Sequence, residues 1–112
     1  MTTITRERDF QRLVVDLATG LGWFHYAALY SLGCDPGYPD LTLVSPSQGR
    51  VVWLELKVKS KVSDMQRVWI TALRDAGLPA YVVTPSDFDQ IESLLRGDTL
   101  TLDPATLAKD SP

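Results

Sequence analysis

The chain has 112 residues, 45% of them hydrophobic and 22% charged, which is the composition of a single globular domain. This composition excludes a disordered tail, a coiled coil and a collagen-like rod. Eleven Lys and Arg residues against fourteen Asp and Glu residues give a net charge of −3, which argues against a protein that binds nucleic acid through surface charge alone.

The first predicted element is an amphipathic helix over residues 5–20 or 5–22, ending at one of two glycines. Thr3 or Thr5 is expected to cap this helix, and Glu7 lies in its first turn, where the helix dipole favours an anion. The apolar residues recur at the spacing of one helical face, at Phe10, Leu13, Val14, Leu17 and Leu21. The short apolar segment 23–30 then predicts a strand, and the Gly and Pro residues of 31–39 predict a loop.

Segments 41–44 and 51–58 are predicted to form a hairpin around the turn residues 46–49. A second helix begins after a Ser63 cap and ends before Gly77 and Pro79. Its expected inward positions are Met65, Val68, Trp69, Ala72, Leu73 and Ala76. A buried strand, 80–83, and a third helix, from Thr84 or Ser86 to Gly97, complete the core. In the tail, residues 98–112, a Pro that follows Asp103 predicts one further helical turn.

The order of these elements, α-β-β-β-α-β-α, predicts an α/β fold with a central mixed β-sheet flanked by helices. The whole chain is expected to be one domain, with its core at about residues 5–96. No apolar run approaches the ~20 residues of a membrane span, and the first residues lack the apolar stretch of a signal peptide. Since Cys34 is the single cysteine and can form no intramolecular disulfide, we expect a cytoplasmic protein.

Three charged residues stand out in the predicted hairpin. Asp40 lies at the mouth of the first strand, and Glu55 and Lys57 are two residues apart on the partner strand, so that they share one face. Trp53 shares that face, and the alternate apolar residues can face the core on the other side: Val52, Leu54, Leu56 and Val58. Charges within an apolar strand are costly unless they are paired or bound to a metal, so the pattern favours a functional site.

Asp40 and Glu55, if they converge across the hairpin, supply the oxygen ligands that Mg²⁺ or Mn²⁺ prefers. Such an ion lowers the pKa of a bound water and stabilises charge on a phosphodiester oxygen. Lys57 could orient or help deprotonate the attacking water. The pattern therefore indicates metal-dependent phosphodiester hydrolysis. The alternative is a surface hairpin with an ordinary Glu55–Lys57 ion pair, worth under ~1 kcal/mol if exposed.

The chain resembles the VRR-NUC nucleases of the PD-(D/E)xK superfamily, in particular their small stand-alone forms from phages and bacteria. The resemblance spans about residues 5–96 and is carried by an ordered set of motifs: Gly37-Tyr38-Pro39-Asp40-Leu41, Glu55-Leu56-Lys57, Ser63-x-x-Gln66, Trp69 and Gly77. The first helix, with Glu7-x-x-Phe10, is also similar to the opening segment of the family. One departure is the loop before the Pro-Asp motif, where relatives often carry basic residues and residues 31–35 have none.

The resemblance implies a restriction-endonuclease-like core in which Asp40, Glu55 and the backbone carbonyl of Leu56 bind the metal. It also implies that Lys57 is the catalytic lysine. Gln66 matches the glutamine of the helix after the lysine strand, and Glu7 matches an acidic residue that can approach the metal site. The implied activity is a DNA endonuclease for branched or structured substrates of the Holliday-junction type, working as a homodimer in a bacterial cell or phage-infected host.

Several of these residues have alternative structural roles. Gln66 could complete a capping box with Ser63, and Glu7 could simply favour the helix N-terminus. Four basic residues could form a rim that binds DNA phosphates or could be solvated surface: Lys59, Lys61, Arg50 and Arg67. For the whole protein, the alternative to an enzyme is a non-catalytic DNA- or protein-binding module that kept the nuclease fold.

Overall fold

The structure is a computed structural model that describes residues 4–28 and 35–98. Its elements are α1 (Glu7–Gly20), β1 (Phe24–Ala27), β2 (Leu41–Ser45), β3 (Arg50–Leu56), α2 (Asp64–Asp75), β4 (Ala80–Val83) and α3 (Phe88–Arg96). A single 3-10 turn, Pro85–Asp87, precedes α3. The predicted order of helices and strands is confirmed. The helical turn expected near Asp103 and part of the loop expected at 31–39 lie outside the described residues.

The four strands form one mixed sheet in the order β1-β2-β3-β4. β1, β2 and β3 are antiparallel neighbours, and β4 runs parallel to β3. The predicted hairpin of β2 and β3 is confirmed, with Leu41 opposite Leu54 and Ser45 opposite Arg50. β3 therefore lies inside the sheet, paired on both sides, and is the strand that carries Glu55.

Helices cover the sheet on both faces. On one face, α1 and α3 pack over a large apolar core that takes Val52, Leu54 and Leu56 from β3. On the other face, α2 packs its fully buried Ile70 over Val82, with Trp53 at the margin of the cluster. Because side chains alternate between the two faces of β3, Val52, Leu54 and Leu56 lie in the first core, and Trp53 and Glu55 lie on the α2 side.

Two details of α1 differ from the sequence prediction. The residue that caps the helix is Arg6, whose side chain makes no capping hydrogen bond, so the expected Thr5 cap is wrong; Thr3 lies outside the described residues. Leu13 is 42% exposed, and Ala18 is buried in the core. The buried stripe is narrower than predicted because it consists of Phe10, Val14 and Ala18, at the helical spacing of four residues.

The buried face of α2 is also rotated from the predicted one. Met65 and Val68 are exposed, the latter by 58%, whereas Ile70, which was not among the predicted inward positions, is fully buried. The cause is an aromatic contact, since Trp69 packs edge-on against Tyr38 with the ring centroids 5.0 Å apart. With Trp69 turned to the loop before β2, Ile70 and Leu73 face the sheet.

That loop approaches α2 closely at Gly37. Gly37 has a φ of +89°, and a Cβ added to it would lie 2.5 Å from the backbone carbonyl carbon of Met65 and 2.6 Å from its oxygen. A side chain at this position would therefore strain the backbone conformation and overlap with the first turn of α2.

Within the described residues, no helix is long and apolar enough to cross a membrane.

We expect Gly37→Ala to lower the free energy of unfolding by about 3 kcal/mol or more, because it adds a backbone clash to the strain of a positive φ. Gly22→Ala is a matched control, since Gly22 has a φ of +87° but open space around an added Cβ. The control should cost only about 1 kcal/mol. Urea denaturation followed by tryptophan fluorescence measures both values, and equal losses would contradict the close contact.

Candidate active site

Asp40 lies immediately before β2 and is fixed by bonds from two neighbouring segments. Its side-chain Oδ2 accepts a hydrogen bond from the backbone N–H of Leu56 at 2.8 Å. Its backbone carbonyl accepts one from the N–H of Ala28 at 3.0 Å, just beyond the end of β1. The first of these bonds brings the Asp40 carboxylate to the end of β3, as the sequence analysis predicted from the hairpin.

Glu55 has a fully buried carboxylate on the same end of the sheet. Neither of its oxygens has a hydrogen-bond partner within residues 4–28 and 35–98. The nearest opposite charge is Lys57, whose Nζ lies 3.5 Å from Glu55 Oε2. Lys57 itself is only 7% exposed. Because the pair is buried, the reading of a solvated surface ion pair is wrong for this site.

The two carboxylates perturb one another. Burial, with a further contribution from the negative charge of Asp40, raises the pKa of Glu55 to about 8, against an opposing effect of Lys57. Burial also raises the pKa of Asp40, although its hydrogen bond from Leu56 and the charge of Lys57 act in the other direction. Neighbouring carboxyl groups with raised pKa values are typical of sites that bind a cation or exchange protons.

This arrangement fits a divalent cation by its own chemistry. When both are ionised, Asp40 and Glu55 carry two negative charges against the single ammonium group of Lys57, and neither Glu55 oxygen accepts a hydrogen bond from the described residues. Hard cations such as Mg²⁺ and Mn²⁺ take oxygen ligands of this kind. Within the described residues, no three His, Cys, Asp or Glu side chains lie close enough together to bind one ion. The candidate side-chain ligands are therefore the two carboxylates of Asp40 and Glu55.

Glu7 lies near this pair but is held by a different contact. Ser60, in the segment that follows β3, donates its hydroxyl to Glu7 Oε2 at 2.7 Å. The negative charge of Glu7 nevertheless contributes to the raised pKa of Asp40, so the start of α1 lies within electrostatic range of the site. The Ser60 contact joins residues 53 positions apart, and no sequence motif pointed to it.

Gln66 forms the capping box with Ser63 that was predicted as one of its two roles. Its Oε1 accepts a hydrogen bond from the backbone N–H of Ser63 at 2.8 Å, and the Ser63 hydroxyl accepts one from the backbone N–H of Gln66. The capping prediction is therefore confirmed. A role for Gln66 in the chemistry of the site stays a prediction.

The four predicted basic residues do not form one patch, because Arg50 lies at the opposite end of β3 from the other three. Lys59 and Lys61 are exposed in the segment after β3, and Arg67 is half-buried on α2. Arg50 begins β3, about 20 Å along the strand from Leu56. Its Nη1 donates to Gln48 Oε1 at 2.6 Å and to the carbonyl of Leu94 at 2.9 Å, so it ties the far end of the hairpin to α3.

An aromatic cluster beside the site was not predicted. Tyr38 receives a hydrogen bond on its hydroxyl from Trp53 Nε1 at 2.9 Å, and the same hydroxyl lies 3.2 Å from Thr42 Oγ1. Trp69 of α2 packs on its ring. The sequence placed Trp53 on the face of Glu55 and set Tyr38 and Trp69 among the motif residues, but neither signal indicated a hydrogen bond between β3 and the loop.

Comparisons with known proteins identify the same domain. The model of the VRR-NUC domain family matches residues 7–87. A solved VRR-NUC domain superposes with a TM-score of 0.66 and 25% sequence identity, covering 84% of this chain and 98% of that one. The Holliday junction resolvase Hjc of Archaeoglobus fulgidus aligns with a TM-score of 0.48 and 19% identity, over 69% and 67% of the two chains. No curated protein sequence matches.

We expect Glu55→Gln to stabilise the metal-free protein more at pH 8.5 than at pH 5. The pKa of Glu55 is about 8 in the folded protein against 4.5 as its ordinary value, so the unfolded chain releases a proton that the folded protein retains. Stability is therefore lost as the pH rises through this window. Since one pKa unit corresponds to about 1.4 kcal/mol, the stability gap between variant and wild type should widen by a few kcal/mol.

Urea denaturation at the two pH values, with a chelator present, measures this gap. A gap of the same size at pH 5 and pH 8.5 would contradict a buried carboxyl group with a raised pKa.

Proposed function

The chain belongs to the VRR-NUC domain family, and on this premise we propose that it is a metal-dependent endonuclease that hydrolyses phosphodiester bonds in branched or structured DNA. The observation that carries the proposal is the fully buried Glu55 carboxylate, whose oxygens have no hydrogen-bond partner among the described residues. Asp40 and Lys57 are the charged groups that act on it. A carboxylate in that position is costly unless it serves a ligand.

In the proposed mechanism Asp40 and Glu55 would hold Mg²⁺ or Mn²⁺, and the backbone carbonyl of Leu56 would be a third ligand. When bound, the ion supplies positive charge next to the phosphodiester oxygen that gains negative charge during hydrolysis. The Leu56 peptide would then have two roles. Its carbonyl would bind the ion, and its N–H already donates a hydrogen bond to Asp40 Oδ2.

Lys57 acts on the attacking water. Its ammonium group is buried, with Nζ 3.5 Å from Glu55 Oε2, so it lies at the site and does not extend into solvent. From there it can orient the water, or donate to a non-bridging phosphate oxygen. Glu7 and Gln66 support the site from α1 and from the start of α2, the former through its charge and the latter through the cap that fixes the first turn.

The DNA backbone is proposed to run along Lys59, Lys61 and Arg67, which lie in the segments that follow β3. Phosphate contacts of this kind fix the position of a protein on DNA without reading its sequence. Arg50 has no part in this rim, because its guanidinium group is bonded at the opposite end of the hairpin. We place the reaction in the cytoplasm of a bacterial cell or phage-infected host.

We expect wild-type protein to cut a four-way junction when Mg²⁺ or Mn²⁺ is added, and Lys57→Ala to lose activity by about 100-fold or more. Arg12→Ala is the control, because it removes an exposed cation on α1 that the mechanism does not use, and it should change kcat by less than threefold. Cleavage assays on junction, flap, duplex and single-stranded DNA measure the activity and its preference. Equal activity of wild type and Lys57→Ala would remove Lys57 from the mechanism.

The same assays separate an enzyme from a non-catalytic module. Calorimetry with Mn²⁺ should show binding to wild type and its loss in Asp40→Asn. A protein that binds junction DNA, takes up no Mn²⁺ and cuts none of the four substrates would be a binding module with a nuclease fold.

We also propose a homodimer, because symmetric cleavage of two strands requires two sites. The exposed apolar residues at the β1 end of the sheet support such an assembly, Phe24 being 69% exposed and Tyr26 58%. Sedimentation at micromolar concentration with junction DNA is expected to give the mass of two chains. A single chain in the complex would contradict the dimer.

A further inference from the structure

We propose that Tyr38 is a positioning residue that sets the separation of Asp40 and Glu55, an inference that rests on the proposed function of these two carboxylates. Tyr38 stands two residues before Asp40, and Trp53 stands two residues before Glu55 on the same face of β3. The hydrogen bond from Trp53 Nε1 to the Tyr38 hydroxyl, at 2.9 Å, therefore joins the two segments that carry the carboxylates.

The same hydroxyl also closes the chain around Asp40. Tyr38 Oη lies 3.2 Å from Thr42 Oγ1, so the residues two before and two after Asp40 meet on one side of it. Pro39, between Tyr38 and Asp40, has a fixed φ and is buried, which leaves little freedom in the connection. A displacement of Tyr38 is therefore passed on to the Asp40 carboxylate.

Two further contacts hold the Tyr38 segment from the side of α2. Trp69 packs against the Tyr38 ring at 5.0 Å between centroids and an interplanar angle of 77°, and Gly37 abuts the Met65 backbone. These contacts do not involve the hydroxyl group. Tyr38→Phe thus removes the bonds to Trp53 and Thr42 while the ring stays packed, which separates positioning from folding.

We expect Tyr38→Phe to weaken Mn²⁺ binding about tenfold, as the loss of a group that orients a metal ligand does elsewhere. The kcat for junction cleavage should fall while the KM stays unchanged. In the metal-free protein, hydrogen exchange of the Leu56 amide should become faster, because this amide is the donor to Asp40. The exchange rates of the Val52 and Leu54 amides should stay unchanged. A general loss of stability would instead speed up exchange at all three amides.

A double-mutant cycle tests whether the Trp53 bond is the cause. Trp53→Phe removes the donor, and the combined variant should bind Mn²⁺ no more weakly than Tyr38→Phe alone. Thr19→Val, a hydroxyl deletion at an exposed residue of α1, is the control and should match wild type.

The outcomes separate this inference from the proposed function. Wild-type affinity for Mn²⁺ and wild-type exchange at Leu56 in Tyr38→Phe would overturn the inference even if the wild type cuts DNA. A wild type that binds Mn²⁺ but cuts nothing would overturn the nuclease proposal, while binding and exchange would still decide the role of Tyr38. If the wild type binds no Mn²⁺, the Leu56 exchange rate alone decides that role.

Discussion

The physical constraint on which the site depends is the closeness of two carboxyl groups, one fully buried and one half-buried, to a single buried ammonium group. Glu55 is fully buried, and burial together with the charge of Asp40 raises its pKa to about 8, against the opposing effect of Lys57. An isolated charge in such a place costs several kcal/mol, so a sequence selected for stability alone would carry an apolar residue there. The placement of Asp40, Glu55 and Lys57 is therefore unfavourable for stability alone and fits the cation site proposed above.

The fold supplies this site through the position of β3 in the sheet. β3 is paired with β2 on one side and β4 on the other, so its backbone is fixed on both edges. Its alternation sends Leu54 and Leu56 into the core under α1 and α3 and leaves Glu55 on the α2 side. A shift of the hairpin register by one residue would exchange these faces and bury the wrong residues, so the core and the site stabilise the same register.

The sequence predicted features that are local and periodic. The order of elements, the hairpin, the Ser63–Gln66 cap and the convergence of Asp40 with the end of β3 all follow from spacings of two to sixteen residues. The features that were missed depend on tertiary contacts: the rotation of α2 follows from Trp69 meeting Tyr38, and Arg50 leaves the predicted rim because it reaches the carbonyl of Leu94. Neither partner is encoded in the pattern around the residue itself.

Contacts around the site explain how the two carboxyl groups stay close together. Two carboxylates that repel one another would move apart if the segments that carry them were free to relax. Asp40 is instead bonded to the Leu56 amide, its loop is bonded to Trp53 through Tyr38, and the loop is pressed on α2 at Gly37. These contacts fix the segments that carry the two carboxyl groups, but none of them supplies a positive charge. The surrounding structure therefore keeps the two carboxyl groups together without a bound ion, and such prearrangement of ligands is what the proposed metal site requires.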